Sequence, residues 1–235
     1  MCGRYALHGP FNRRDPDWIA QWLEQLVSAT GGEARYNIAP SQAVPAFVSR
    51  DGAVGVQDMR WGLVPGWAKD PKIAWQTINA RAETAPFKPA FRQAYGQRRC
   101  VVPADGFFEW VKAPDGRRPI WFHPPDGGLL LFAGLYEESS EGCAAGGPKR
   151  RFVVLTTAPN ELVRPVHDRM PAILSADEAA AWLAAPSQAL LHPAPEDLLQ
   201  ARPVSPRVNS VKNDDPDCLT PAAPMAPSAK QLALF

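Results

Sequence analysis

Apolar and polar positions along this 235-residue chain follow two rhythms. Near the N-terminus, Trp18, Ile19, Trp22, Leu23, Leu26 and Val27 recur at three- and four-residue steps, which places them on one face of a helix. Asp15 can cap that helix, Pro16 suits its first turn, and Gly31-Gly32 ends it. Ser175-Ala176-Asp177-Glu178 carries a capping-box pattern. It predicts a second helix through 179–183, stopped by Pro186. A short third helix is expected from Pro195 through Leu199. Elsewhere, β-branched and aromatic runs bounded by turn residues predict strands at 44–49, 54–63, 100–102, 107–111, 120–123, 129–135 and 152–157.

Several of these strands follow one another with no long helix between them. That order predicts an α+β single domain, with a largely antiparallel, barrel-like sheet and a few peripheral helices. The 26 prolines, about twice the usual frequency of about 5%, favour many short strands and turns over long helices. From about Leu219 the character changes: LTPAAPMAPSAK is rich in Pro and Ala and reads as a flexible tether. The domain is therefore expected over 1–217 and a tail over 218–235, the tail ending in the apolar cluster QLALF.

A hydrophobic content of 46% is enough for a substantial core. The net charge of +1 gives no global basic field, so any nucleic-acid surface must be a local cluster of arginines. No apolar run approaches the ~18 residues of a membrane span, and the N-terminus lacks the apolar stretch of a secretory signal. Cys2, Cys100, Cys143 and Cys218 are scattered with no C-x-x-C pair. A zinc site or disulfide framework is therefore not expected, and a reduced, cytoplasmic location is. The chain contains no H-E-x-x-H, P-loop or G-x-G-x-x-G pattern, so no metal and no cofactor is expected.

The residue after the initiator methionine is Cys2. Removal of Met1 would leave an α-amine and a thiol on adjacent carbons, with ordinary pKa values of about 8 and about 8.5. Such a 1,2-aminothiol condenses with an aldehyde to an imine, which the sulfur then closes to a thiazolidine. The thiol alone could instead attack a carbonyl with the amine as its base; read plainly, Cys2 is also a small buried hydrophobe. Glu109 stands between Phe108 and Trp110, where burial would keep its carboxyl protonated nearer neutrality. On an alternating strand it could equally point outward. His167, beside Asp168 and Arg169, could trade protons near neutral pH or serve structurally. Asn79 could orient an amine or carbonyl through its amide, or simply form a turn.

These segments resemble the SRAP family, the SOS-response-associated peptidase domain, whose members sense abasic sites and crosslink to single-stranded DNA. The matching text is MCGRY at 1–5, RYNIAPSQ at 35–42, RWGLVPGWAKD at 60–70, INARAET at 78–84 and FKPAFR at 87–92. It continues with RRCVVPADGFFEW at 98–110, AGLYE at 133–137, VHDRMP at 166–171 and VNSVKND at 208–214. The resemblance implies that mature Cys2 forms a thiazolidine with the ring-opened aldehyde of an abasic deoxyribose. It implies that Asn79 positions amine and sugar, that Glu109 is the general acid/base, and that His167 assists ring opening and proton transfer. It also implies a self-crosslinking enzyme with autopeptidase (Met1 removal) and lyase-type activity, classed with hydrolases, peptidases or lyases.

Arg4, Arg81 and Arg169 suit bidentate phosphate contacts, and Trp67 could stack on a base or wedge a duplex end, or else pack in the core. The partner expected is single-stranded DNA containing abasic sites, bound by a monomer. Gln231, Leu232, Leu234 and Phe235 resemble the short motif by which bacterial repair proteins bind the β sliding clamp. Two other classes remain open: an N-terminal-nucleophile cysteine peptidase or amidase, and a non-catalytic single-strand binding module. The first needs no aldehyde; the second binds without covalent capture.

Overall fold

The strands join into two sheets that face each other across an aromatic layer. The computed structural model describes residues 2–9, 17–114, 116–138 and 150–222. In chain order the elements are β1 (Tyr5–Leu7), α1 (Asp17–Thr30), β2 (Arg35–Ile38), β3 (Ala43–Arg50), β4 (Ala53–Trp61) and β5 (Asn79–Arg81). Then come α2 (Arg92–Gln97), β6 (Arg99–Ala104), β7 (Gly106–Ala113), β8 (Gly116–His123), β9 (Leu130–Glu138) and β10 (Arg150–Thr157). The last are β11 (Met170–Pro171), β12 (Ile173–Leu174), α3 (Ala176–Ala184) and β13 (Gln200–Pro203).

Strands β4, β3, β6, β9 and β10 form a closed ring, because β10 pairs with both β9 and β4. Every joint is antiparallel except the closing one, where β10 runs parallel to β4 with Arg151 opposite Arg60. Further along, β5 pairs with β10 in the same parallel sense, Asn79 opposite Val154. The second sheet, in the order β13-β8-β7-β1-β2, is antiparallel. Tyr5 packs edge-on against Trp61 at 5.3 Å and Phe132 at 6.1 Å, and Phe107 meets Phe132 at 6.2 Å. All four rings are buried, each contributing about 2–3 kcal/mol relative to exposure. This layer fixes β1 and β7 over the barrel.

The α+β, largely antiparallel barrel expected from the strand order is the fold observed. In α1, Trp22, Leu23 and Leu26 are buried, whereas Val27 is half exposed. Asp15 and Pro16, with the side chains of Trp18 and Ile19, lie outside the described residues. Gly31 and Gly32 end the helix with φ of 61° and 75°, values that an L side chain adopts only with strain. In α3 the capping box is complete, Ser175 accepting from the Glu178 amide and the Glu178 carboxylate accepting from the Ser175 amide. The expected helix at 195–199 is one 3-10 turn over Glu196–Leu198. The strand expected to reach 63 stops at Trp61, where Gly62 turns the chain at φ +117°. Residues 218–222 also pack on the domain: Cys218 is buried, Pro221 bridges Val204, and the Ala222 amide donates to Pro203. Residues 223–235, including Gln231, Leu232, Leu234 and Phe235, lie outside the described residues.

Candidate active site

Cys2 enters the fold just before β1, the strand held between β2 and β7. Its thiol donates to the Arg4 carbonyl at 3.7 Å, and the same carbonyl accepts the Phe108 amide at 3.0 Å. That carbonyl ties the N-terminal segment to β7 one residue from Glu109. Strand alternation puts Glu109 on the same face as Phe107, the face turned toward Phe132 of the barrel. Glu109 therefore points inward and is buried at 4% exposure, which removes the outward reading.

Burial raises the Glu109 carboxyl to about 7, opposed by the positive amino terminus and reinforced by Asp168. The same burial pushes the Cys2 thiol up, and a charged Glu109 pushes it further. The thiolate is thus disfavoured, and the proton on the sulfur is coupled to the one on Glu109.

Asn79 is placed by β5, which lies along β10. Its side-chain amide donates to the Cys2 carbonyl at 2.7 Å. Its buried oxygen Oδ1 has no hydrogen-bond partner among the described residues, leaving an acceptor beside Cys2. Such an orphaned acceptor is unusual in a native interior. Asn79 thus joins the barrel to the N-terminal segment.

His167 lies in the loop that leaves β10 and returns as β11, which pairs antiparallel with Thr156 and Thr157. Its Nδ1 is 2.9 Å from the Asp168 carboxylate and 3.0 Å from the Arg169 amide. The neutral ring accepts from Arg169; the protonated ring can donate to Asp168. Partial burial lowers its pKa, aided by the amino-terminal charge and opposed by Asp168. The amino-terminal charge acts on Cys2, Glu109 and His167 alike. Those three groups share one electrostatic neighbourhood, and Asn79 reaches it through Cys2.

The arginines divide. Arg81 is exposed at the end of β5. Arg4 donates to Asn37 Oδ1 at 2.6 Å and to the Val208 carbonyl at 2.8 Å, and its guanidinium lies 5.6 Å from the Trp110 ring centre. Arg169 grips Glu83 with two bonds of 2.8 and 2.9 Å and also donates to the Thr156 carbonyl. This pairing holds the Glu83 carboxyl below its ordinary range and braces the His167 loop against β10. Trp67 is 61% exposed, so it does not pack in the core.

Reasoning from the sequence gave no role to Asn37, Asp214 or Tyr5. Buried Asn37 donates to the carbonyls of Val208, Ser210 and Asn213. Asp214 accepts from Arg35 and from the Tyr36 and Asn37 amides. This network joins 208–214 to β2 and, through Asn37, to Arg4. The only sequence signal was that both segments lay in matching text. The Tyr5 hydroxyl is buried without a partner among the described residues. Among those residues, no group of three His, Cys, Asp or Glu side chains could hold a metal, and no helix is long and apolar enough to cross a membrane.

The family model described as SOS response associated peptidase (SRAP) matches residues 1–211. The abasic site processing protein YoqW of Bacillus subtilis is 38% identical over 227 residues, covering 93% of this chain and 99% of its own. HMCES of Gallus gallus, also an abasic site processing protein, is 33% identical over 89% of this chain and 70% of its own. YedK of Escherichia coli, likewise an abasic site processing protein, is 29% identical over 94% and 100%. Among solved structures, a protein of Bacteroides thetaiotaomicron superposes with a TM-score of 0.74 at 25% identity, covering 94% of this chain and all of that one.

Proposed function

The chain belongs to the SOS response associated peptidase (SRAP) family, and on that premise we propose that it senses abasic sites in single-stranded DNA and captures them covalently through mature Cys2. The observation that supports this reading is that Asn79 bonds the buried Cys2 at its carbonyl while one amino-terminal charge acts on Cys2, on buried Glu109 and on partly buried His167.

Met1 must leave first, because an acylated nitrogen cannot form an imine. The freed α-amine of Cys2 adds to the sugar aldehyde, giving a carbinolamine. Glu109, with a pKa of about 7, carries the proton with which the hydroxyl departs as water. The thiol then adds to the protonated imine carbon; the nitrogen keeps its one hydrogen, the sulfur proton returns to the Glu109 carboxylate, and the thiazolidine ring closes. An amine-first order suits a thiol that burial keeps protonated. The same burial disfavours a peptidase that would need the Cys2 thiolate as nucleophile. Asn79 holds the Cys2 carbonyl and offers Oδ1 to the amine or a sugar hydroxyl. His167, neutral near pH 7, helps open the sugar ring and takes part in reversal.

Exposed Arg81 and Trp67 supply backbone and base contacts with little sequence preference. For Arg169, already committed to Glu83, we assign the bracing of His167. By composition, the tail bearing Gln231, Leu232, Leu234 and Phe235 fits a tethered β-clamp motif that would bring the domain to replication forks.

The test is the mass of the adduct between mature protein and an abasic oligonucleotide. The reading requires the sum of both components less one water, located at Cys2. For Cys2→Ser, it requires an imine that survives only after reduction with borohydride. A wild-type adduct that likewise persists only after reduction would remove the thiazolidine.

A further inference from the structure

Where the barrel closes, two arginines stand directly opposite each other. Arg151 of β10 and Arg60 of β4 are register partners in the one parallel joint of the ring. Like charges facing each other across strands are destabilising unless something neutralises them. No carboxylate among the described residues does so. Glu137, the partner of Arg151 on the other side, is held by Arg98 at 2.7 Å. Arg60 donates to the Ser41 carbonyl at 2.7 Å, and the bond from Arg151 to the Gly62 carbonyl is long, at 3.4 Å. Partial burial lowers the Arg151 pKa, and the Arg60 charge lowers it further.

Around this pair is a cavity of about 240 Å³, also lined by Ser41, Lys72 and Trp75. Its second wall is the 3-10 turn Pro71–Trp75, capped by the Asp70 side chain accepting from the Lys72 amide. Gly62 lets that wall come close: a Cβ there would lie 2.8 Å from the Ala74 carbonyl. Ser41, whose carbonyl orients Arg60, has φ of 73°, a strained conformation for a residue with a side chain. Trp75 is 64% exposed. Three cations around a hollow, beside an exposed indole face, match the two parts of a nucleotide: a phosphate for the cations and a base for the ring.

We propose that the Arg60–Arg151–Lys72 cavity binds a backbone phosphate of a nucleic-acid strand, with the adjoining base stacked on Trp75. The site is separate from the Cys2 neighbourhood and shares none of its four residues. It would hold strand beyond the abasic nucleotide, and only the identity of that strand as DNA rests on the function proposed above.

The test is non-covalent binding of intact single-stranded oligonucleotides to the full mature chain, read by fluorescence anisotropy over a range of salt. Intact strands need no aldehyde, so the result does not depend on crosslinking. Lys72→Gln is expected to flatten the slope of log affinity against log salt by about 0.7, the contribution of one phosphate contact on a single strand. Trp75→Ala is expected to weaken binding roughly tenfold, and Trp75→Phe to restore most of it. Both side chains are exposed, and unchanged melting curves would confirm that the variants fold. A Lys72→Gln/Trp75→Ala double variant that kept wild-type affinity and slope would overturn the proposal. So would inorganic phosphate displacing the strand as well as an equal concentration of strand phosphate does, since the cavity would then hold a free anion. If the variants weaken intact strands while wild type fails to capture an abasic one, the cavity stands and the crosslinking reading falls.

Discussion

The Asn79 side chain donates to the Cys2 carbonyl at 2.7 Å across 77 residues of sequence. This bond links β5, on the barrel, to the segment feeding β1, in the other sheet. It holds the Cys2 backbone against β5.

Asn79→Ala should therefore slow capture without weakening strand binding. A nucleophile misplaced by about 1 Å costs on the order of a hundredfold in rate. Single-turnover crosslinking beside anisotropy would separate the two effects. Equal losses in rate and affinity would mean that Asn79 binds DNA instead of positioning Cys2.

Glu109 makes stability depend on pH in an unusual direction for a carboxylate. Its pKa rises from an ordinary 4.5 to about 7 through burial. Between those values the native chain holds a proton that the unfolded chain has released. Its stabilising contribution is thus complete below about pH 4.5 and lost as pH rises through 7. Glu109→Gln should remove that dependence, so its stability relative to wild type should grow by on the order of 3 kcal/mol from about pH 4 to pH 8. Denaturant melts across that range would check this, and a constant difference would refute the raised pKa. Capture should also slow above pH 7 in wild type, a limb that Glu109→Gln should lack.

Arg169 separates two roles that a sequence cannot distinguish. If it braces the His167 loop through Glu83 and Thr156, Arg169→Ala should lower the crosslinking rate and leave the salt slope of strand binding intact. A phosphate contact would instead flatten the slope by about 0.7. Arg81→Ala, at an exposed arginine, should flatten it.

Removing residues 223–235 should abolish binding to a β sliding clamp and spare crosslinking of a free oligonucleotide. Surface plasmon resonance on immobilised clamp would read the first and gel shift the second. Clamp binding that survived the deletion would end the tail proposal.

The strands of the barrel were legible because their β-branched and aromatic runs are long, as in β3, β4, β9 and β10. Strands β1, β2 and β5 were not: each has three or four residues, too few for a period to emerge. Their pairing is set by tertiary contacts such as Tyr5 against Trp61. The four site residues stood out by type and neighbours, their roles came from resemblance, and the bond between Asn79 and Cys2 needed the fold. No spacing announces that Asn79 bonds Cys2 or that one amino-terminal charge reaches both Glu109 and His167, since that depends on which strand lies beside which. The commitment of Arg169 to Glu83 was equally hidden, because motif text gives residue types without partners. The Arg60–Arg151 pair is the clearest case. Those residues are 91 apart in sequence and become neighbours only through the parallel joint that closes the barrel.

The central claim is covalent capture by Cys2, and a denaturing gel tests it most directly. Mature protein, its free Cys2 verified by mass spectrometry, would be incubated with an abasic single-stranded oligonucleotide and with an intact one. The account predicts a shifted band that survives denaturant, requires the abasic site and disappears in Cys2→Ala. No shift from protein with a confirmed free Cys2, or an equal shift from Cys2→Ala, would contradict it.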